Sequence, residues 1–433
     1  MPAHQKLAAA LVVILAAAGV AVVALSVTGG PTAVTPSPSP TVSFAPSDEA
    51  SPDASAGPST GVDDDVVAAL REIEEQVIAI RGLPAAEIGQ PELLTREQLR
   101  EELATIFAEE YPEEEQEIDN FSLRALGLLD PDQDVAELQL QLLGDQVLGF
   151  YDDVDKRMVV VTDAGLDAEA KLTYAHEYTH ALQDAAFGLD TLETDAVGED
   201  DRGLARIALI EGDATVTMLS WAFEHLTPEE LMEIGSGAQI PDTTGIPAWM
   251  VNQLQFPYNE GSLWAGSLAG DPLSPNYEEI DAAYADPPAS TEQIIDIDAW
   301  LAREAPIAIE PLDLAAALGD DWEEVDATPI GEASIRIMLE YFGIDRETAV
   351  AAADGWGGDR AVIVSGPDRA FAVAWRLAWD EPDDADEFLS AYRTAINALP
   401  FPATAGELGD GSILVAHASD GELLLRTVDA AND

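Results

Sequence analysis

The sequence predicts an α+β fold, and the order of its hydrophobic patterns is the main reason. In the first half of the chain, apolar residues recur at helical spacing in several segments. Two short β-like segments stand next to each other between these helices, and the C-terminal part mixes short β-like runs with one helical run. Helices, a hairpin, more helices and a mixed tail therefore follow one another, which is typical of α+β proteins.

Three helices are predicted before the hairpin. Residues 64–81 carry apolar side chains at helical spacing, and residues 95–111 open with a capping box, Thr95-Arg-Glu-Gln98. Residues 135–143 form the third helix. The aspartates at 130–134 start like a calcium loop but lack its glycine and its final glutamate, so we interpret them as the polar start of this helix.

The period of the pattern then changes. Residues 146–151 and 157–162 are β-like and flank an acidic turn, which predicts a hairpin. Helices are predicted at 167–187 and 202–226, whereas proline and glycine interrupt much of 235–288. The remaining predictions are a helix at 384–398 and strands at 361–365, 370–375, 412–417 and 423–427.

The charge balance is extreme. The chain has 83 acidic and 19 basic residues, a net charge of −64, so it lacks the basic face on which a nucleic-acid-binding protein depends. With no cysteine, disulfides, thiolate catalysis and cysteine-based metal sites are excluded. We interpret the acids, which are spread along the chain, as a solvated surface adapted to a salty medium; a surface that captures cations is the alternative.

The N-terminus predicts export. Residues 7–27 form an apolar run in which only Ser26 is polar, long enough at about 1.5 Å per residue to cross the roughly 30 Å hydrocarbon core of a bilayer. His4 and Lys6 precede it and favour a cytoplasmic N-terminus. We expect a retained single-pass membrane anchor (1–30), with a secreted protein as the alternative if this segment is a cleaved signal peptide. Residues 31–62 are rich in Pro, Ser and Thr and predict an extended linker.

One short motif carries the chemistry. His176 and His180 are separated by four residues within a predicted helix, so both side chains lie on one face and can bind the same metal ion. Glu177 stands beside them, placed to accept a proton from water without being a ligand. The chain has only five histidines, which makes this spacing improbable by chance. A pair of buried, hydrogen-bonded core histidines is the alternative.

A catalytic zinc ion has three protein ligands, so a third is needed. A third histidine downstream is excluded, because Gln183 and Ala186 occupy the positions where that pattern requires glycine and histidine. Glu211 lies on an apolar stripe of the next predicted helix, where a carboxylate needs a partner. A metal would be such a partner; an ion pair with Arg202 or Arg206 is the alternative.

These residues resemble the gluzincin group of zinc metallopeptidases. The segments HEYTHALQD, ALIEGDAT, FPYNEG and PPASTEQI are similar to a family of exported, largely uncharacterised gluzincin-like proteins, over about residues 65–400. The resemblance implies a mainly helical zincin-like domain, zinc bound by His176, His180 and Glu211, and Glu177 as general base and then general acid. Many gluzincins have an aspartate four residues after the ligand glutamate; here Thr215 stands there, and Asp213 or Asp184 is a candidate replacement.

An oxyanion donor is also required. Tyr258, in the FPYNEG segment, is our candidate, although a tyrosine packed next to a proline turn is the other interpretation. His225 lies too far along the helix from Glu211 to serve, and His417, on a predicted strand, is expected to be structural. The hairpin before the motif helix is expected to offer its edge to an extended peptide.

The sequence therefore predicts an exported zinc peptidase, expected to be an endopeptidase, with a catalytic domain at 63–310 and a C-terminal α+β region at 311–433 packed on it. Its expected partners are a peptide or protein substrate and the membrane. Two alternatives stay open: a cell-surface binding protein that keeps the metallopeptidase fold without turnover, and a zinc hydrolase that acts on a non-peptide bond.

Overall fold

The computed structural model describes residues 64–162, 165–237 and 243–432. The predicted membrane anchor at 1–30 and the predicted linker at 31–62 lie outside the described residues. Within the described ranges, no helix is both long and apolar enough to cross a membrane. The α+β prediction is confirmed, because the described part of the chain combines many helices with two separate sheets.

The first part of the chain is mostly helical, with one small sheet. Its elements are α1 (Asp64–Arg81), β1 (Glu92–Leu94), α2 (Arg96–Glu110), α3 (Glu113–Leu126), α4 (Val135–Gln146), β2 (Gly149–Asp152), β3 (Arg157–Val161), α5 (Ala168–Phe187), α6 (Asp200–His225), α7 (Pro228–Gly237), α8 (Ala248–Ala269), α9 (Glu278–Ala285), α10 (Glu292–Ile295) and α11 (Ile297–Ala302).

The C-terminal part holds the larger sheet. Its elements are α12 (Leu314–Leu318), β4 (Glu323–Thr328), α13 (Gly331–Tyr341), α14 (Arg346–Ala353), β5 (Trp356–Ser365), β6 (Phe371–Trp379), α15 (Pro382–Ala395), β7 (Ala403–Glu407), β8 (Ile413–Ala418) and α16 (Gly421–Asn432).

The small sheet has the order β1-β3-β2. The predicted hairpin is confirmed: β2 pairs antiparallel with β3, with Phe150 opposite Val159. Strand β1, which the sequence did not predict, pairs parallel with β3 on the other side. Strand β2 is therefore an edge of the sheet, and it packs against α5, the helix that carries the histidine motif.

The long helices α6 and α8 pack in very close contact. A Cβ atom on Gly212 would lie 2.1 Å from the carbonyl oxygen of Gly261, and one on Gly261 would lie 2.3 Å from that of Ala208. Only glycine allows the two backbones to approach this closely. The expectation that proline and glycine interrupt this region is wrong for 248–269, where a 22-residue helix accommodates Pro257.

The larger sheet has the order β4-β5-β6-β8-β7, with every neighbouring pair antiparallel. Three of the predicted strands are present, although β5 and β6 are longer than expected. The predicted strand at 423–427 is wrong, because these residues belong to α16. Asp420 caps this helix through the backbone N–H groups of Glu422 and Leu423, and its buried face repeats every four residues at Leu423, Thr427 and Ala431.

One hydrophobic core joins the two parts of the molecule. It combines side chains of α2, α3, α4 and the small sheet, including Leu103 and Phe150, with side chains of the C-terminal sheet and helices, including Trp375 and Phe388. Two further cores lie in the first part: one between α1, the small sheet, α5 and α6, and one between α6, α8 and α9. Helix α6 contributes to both of these cores.

Candidate metal centre

Helix α5 carries the histidine motif into the interior. Asp167 caps its N-terminus by accepting a hydrogen bond from Ala170 N, and Gly188, with φ of 69°, ends it. Every residue from Leu172 to Asp184 is buried. Burying a polar side chain costs free energy unless it is hydrogen-bonded or binds an ion. The polar side chains of the motif therefore need partners inside the protein.

Three donor atoms converge at this point. His176 Nε2 lies 3.1 Å from His180 Nε2 and 3.2 Å from Glu211 Oε2, and His180 Nε2 lies 3.7 Å from the same oxygen. Zinc bonds of about 2.0–2.2 Å at tetrahedral angles would place neighbouring ligand atoms roughly 3.3–3.6 Å apart. The measured separations lie close to this range, and the set could hold a metal ion.

Glu211 is the ligand candidate that comes from α6. Its side chain is fully buried, and among the described residues Oε1 has no close hydrogen-bond partner. The alternative of an ion pair with arginine is wrong: Arg202 faces Glu193 and Glu199, and Arg206 binds the carbonyl oxygen of Leu192. The groups next to the buried Glu211 carboxylate are thus the imidazoles of His176 and His180, and not the guanidinium of an arginine.

The electrostatics of the three groups suit metal binding. Burial lowers the pKa of His176 to about 3 and also lowers the pKa of His180, so both imidazoles are neutral at pH 7 and each has a nitrogen lone pair. Burial raises the pKa of Glu211 to about 7, an effect that His180 partly offsets. A bound cation would reverse this last shift, because it stabilises the ionised carboxylate.

Glu177 lies next to the triangle but outside it. Its Oε2 accepts a hydrogen bond of 2.8 Å from the backbone N–H of Tyr151 on the edge strand β2, and its Oε1 is buried without a partner. Burial raises the pKa of Glu177 well above its usual value, and the neighbouring Glu211 adds to this shift. Strand β2 therefore orients one oxygen and leaves the other for a further partner.

Gln183 supports the second histidine. Its Oε1 lies 2.8 Å from His180 Nδ1, and its Nε2 donates to Asp213 Oδ2 at 2.9 Å. Of the two aspartates that the sequence offered as supports, Asp213 therefore acts through Gln183. Asp184 does not contact a histidine; it binds the hydroxyl of Tyr151 and the ammonium of Lys156.

Thr215, at the position where many gluzincins have aspartate, supports neither histidine by a hydrogen bond. Its hydroxyl is buried without a partner, and so is His176 Nδ1. The two histidines therefore differ, because only His180 has a hydrogen-bonded Nδ1 atom.

Tyr258 is brought to the centre by α8. Its ring stacks on the His176 ring with the centroids 6.3 Å apart, and burial together with Glu211 and Glu177 raises its pKa well above the usual value. The phenol is therefore protonated at neutral pH, and its hydroxyl group is hydrogen-bonded to the carboxyl group of Glu211. His225 lies at the far end of α6, and His417 is held by Tyr392 and the carbonyl oxygen of Ala125, as expected of a structural histidine.

A cleft of about 570 Å³ leads to the centre, and Glu177, His180 and Glu211 line its floor. Among the described residues that line it there is no lysine or arginine, whereas six further residues are acidic: Glu109, Glu110, Glu115, Asp153, Asp190 and Asp195. The cleft therefore continues the negative character of the molecular surface up to the candidate metal site.

Sequence reasoning missed three residues that shape this centre. They are Gln183, Tyr151 through its backbone N–H, and Arg81, whose buried guanidinium binds Asp213. Gln183 lies three residues after His180, so helical spacing signals a contact between them. No local signal links Arg81 to Asp213, which is 132 residues away.

The match to a known protein family lies in the C-terminal part of the chain. Residues 319–423 match a family described as a domain of unknown function, DUF8575. This range contains all five strands of the larger sheet, β4 to β8, and none of the residues of the candidate metal centre. No curated protein and no solved structure matches the chain. The chain is therefore similar to a known family only in its C-terminal sheet region.

Proposed function

We propose that this protein is a zinc-dependent peptidase, tethered outside the cell by its N-terminal segment, that hydrolyses peptide bonds. The observation that carries the proposal is the convergence of His176 Nε2, His180 Nε2 and Glu211 Oε2, with the buried Glu177 beside them but not among them. A purely structural metal site has no use for this fourth, uncoordinated carboxyl group.

The donor set favours zinc. Two neutral imidazoles and one carboxylate are the three-ligand pattern of zinc peptidases, which leaves a coordination position open. When bound there, zinc would polarise the scissile carbonyl group and lower the pKa of a water molecule to about 7. Glu211, whose negative charge is otherwise costly in its buried position, would bind the ion through Oε2.

Glu177 moves the proton. Tyr151 N holds its Oε2, so Oε1 is the oxygen that accepts a proton from the attacking water. Burial raises its pKa, which makes the carboxylate a stronger acceptor of the proton from water; the carboxyl group then passes this proton to the departing amine. Both proton transfers use the same carboxyl group of Glu177, and the hydrogen bond from Tyr151 N on β2 holds that group in position.

Tyr258 binds the developing oxyanion. Its hydroxyl group stays protonated because burial and two carboxylates raise its pKa, so it donates a hydrogen bond rather than accepting a proton. The substrate lies in the cleft above these groups, next to the edge strand β2, whose Tyr151 N–H is held by Glu177. An open cleft rather than a closed pocket suits cleavage within a chain.

The experiment compares metal content and turnover in four proteins: wild type, Glu177→Gln, Tyr258→Phe and the control Glu169→Gln. Glu169 lies in the first turn of the same helix, away from the triangle. The substrate is an unfolded protein, tested at low and at molar salt. We expect one zinc ion in every variant, a loss of about 10²- to 10⁴-fold in kcat for Glu177→Gln, a smaller loss for Tyr258→Phe, and no loss for the control.

Bound zinc with the same negligible turnover in wild type and Glu177→Gln would contradict the proposal and favour the binding protein instead. Absence of bound zinc in the wild type would contradict the metal centre itself. Hydrolysis of ester or amide probes without cleavage of any peptide would support a hydrolase of another class.

A further inference from the structure

The side-chain amide of Gln183 is bound on both sides inside the protein. Its Nε2 lies 3.0 Å from the carbonyl oxygen of Ile210 and 2.9 Å from Asp213 Oδ2, while its Oε1 lies 2.8 Å from His180 Nδ1. The side chain has no exposed surface. Water therefore does not compete for these bonds, and each of them has its full strength in a medium of low dielectric constant.

These contacts fix which way the amide faces. A carbonyl oxygen and a carboxylate oxygen only accept hydrogen bonds, so the NH₂ group must face them. The reversed amide would place its oxygen against two other oxygens and would lose both of these hydrogen bonds. The oxygen of Gln183 must consequently face His180.

Asp213 is itself held as an acceptor. The guanidinium of Arg81 donates to both of its oxygens, at 2.8 and 3.1 Å, and the hydroxyl of Tyr284 donates to Oδ2 at 2.9 Å. Arg81 and Asp213 have fully buried side chains. Because these groups donate to Asp213, its oxygens act as acceptors, and a residue of α1 therefore helps to determine the direction of the bond from Gln183.

The tautomer of His180 follows from this direction. Gln183 Oε1 has no hydrogen to give, so the contact at 2.8 Å requires a hydrogen on His180 Nδ1. A neutral imidazole carries one such hydrogen, which leaves a lone pair on Nε2. Nε2 is the atom that faces His176 and Glu211. His176 has no comparable bond at Nδ1.

We propose that Gln183 is a positioning residue that holds His180 in the one neutral tautomer able to bind a metal, and that Asp213 and Arg81 lock the amide of Gln183 in place. The proposal rests on the proposed metal centre, but it does not depend on turnover. It assigns to Gln183 the role that a carboxylate often has next to a zinc-binding histidine.

The tautomer is tested first, in the full-length, metal-free wild type. Nitrogen-15 NMR of the histidine rings distinguishes the two neutral tautomers, and the chain has only five histidines to assign. Replacing His4, His225 and His417 in turn with glutamine assigns the signals outside the centre. We expect the Nδ1–H form for His180 at neutral pH. The Nε2–H form as the main species would overturn the proposal.

Zinc affinity is tested next, by competition with a chelator. Gln183→Met keeps the volume but removes the acceptor, and we expect zinc to bind about 10- to 100-fold more weakly, with a mixture of His180 tautomers. The matched control is Gln293→Met, which breaks the bonds of another buried amide, to Ala289 N and to the carbonyl oxygen of Glu304, outside the metal centre. The control should leave zinc affinity unchanged.

Gln183→Glu is the conservative variant. When protonated, a glutamic acid at this position accepts from His180 with its carbonyl oxygen and donates to Asp213 with its hydroxyl, which is the pattern of the amide. We expect it to restore most of the affinity that Gln183→Met loses. Equal affinity in wild type and Gln183→Met would overturn the proposal.

The outcomes separate this inference from the proposed function. A wild type that binds no zinc contradicts the metal centre, yet the tautomer of His180 in that same protein still decides the role of Gln183. A wild type that binds zinc but cleaves nothing contradicts the peptidase and leaves the inference intact. If Gln183→Met does not fold, two other measurements test the role of Gln183: the tautomer of His180 in the wild type and the zinc affinity of Gln183→Glu.

Discussion

At the scale of single residues, the candidate centre concentrates buried polar atoms that lack a partner within the described part of the chain. They include Glu177 Oε1, Glu211 Oε1 and His176 Nδ1. An unsatisfied buried polar group costs about 1–3 kcal/mol, so a folded protein keeps several of them together only where something else binds. This cost is the physical reason for interpreting the site as functional.

The raised pKa of Glu211 predicts how zinc binding depends on pH. In the metal-free protein the Glu211 carboxyl group is largely protonated below pH 7, because its pKa is about 7, whereas His176, with a pKa of about 3, is already neutral. Zinc requires the ionised carboxylate. Binding at pH 6 should therefore release about one proton from Glu211 and weaken as the pH falls. At pH 8 Glu211 should contribute almost none, and a proton released there would come from water bound to the ion.

The measurement is calorimetry in buffers of different ionisation enthalpy, which gives the number of protons released. It is best made in Glu177→Gln, since the pKa of Glu177 is also raised and would add a second titration. The release of two or more protons at pH 6 would mean that the histidines are charged in the free protein, and would contradict the assignment to Glu211.

At the scale of elements, the contact between α6 and α8 positions the centre. Glu211 precedes Gly212 on one helix, and Tyr258 lies one turn before Gly261 on the other. The two glycines let the backbones approach until a Cβ atom would collide with a carbonyl oxygen. The close packing thus sets the distance of Glu211 and Tyr258 from the histidines of α5.

Gly261→Ala should therefore damage both stability and metal binding. The added methyl group would lie 2.3 Å from the carbonyl oxygen of Ala208, so the helices must separate. We expect a loss of about 1–3 kcal/mol in the free energy of unfolding, typical of overpacking, and weaker zinc binding because Glu211 moves.

Gly266→Ala is the matched control on the same helix. Apart from the backbone of its own helix, no atom of the described residues lies within 4 Å of its added methyl group, and alanine should stabilise the helix by about 0.5–1 kcal/mol. Denaturant unfolding and chelator competition measure the two effects. Equal stability changes in both variants would show that the glycine contact does not set the helix separation.

At the scale of the whole molecule, the net charge of −64 acts on every part of the fold. The metal-site carboxylates make up a very small share of the 83 acidic residues, and most of the rest face solvent, where they repel one another. Salt screens this repulsion, since the Debye length falls from about 10 Å at 0.1 M to about 3 Å at 1 M.

The unfolding temperature should accordingly rise between about 0.1 M and molar sodium chloride. It is measured by circular dichroism in the presence of a chelator, so that zinc binding does not contribute. The same scan in an uncharged osmolyte is the control for effects other than screening. Equal stability at both salt concentrations would remove the interpretation of salt adaptation and favour a surface that captures cations.

Local patterns account for the elements that the sequence predicted well. The helix at 64–81 has the predicted bounds, and the capping box from Thr95 to Gln98 is formed as expected. The errors arise where a local preference yields to packing. Pro257 lies inside α8 although proline disfavours helix interiors, because close packing against α6 stabilises this helix. Strands β4 and β7 carry weak local signals and depend on their neighbours in the sheet.

Sequence alone was enough to predict that the two histidines of the motif and the glutamate beside them lie together. His176, Glu177 and His180 lie within one turn of one helix, so helical geometry alone brings them together. Helical burial also pointed to Glu211 as a carboxylate in need of a partner. The tertiary structure alone decided that this partner is the pair of imidazoles and not Arg202 or Arg206. It alone joined Arg81 to Asp213 and β2 to Glu177, because such contacts depend on how helices and strands pack across long separations and not on any local spacing.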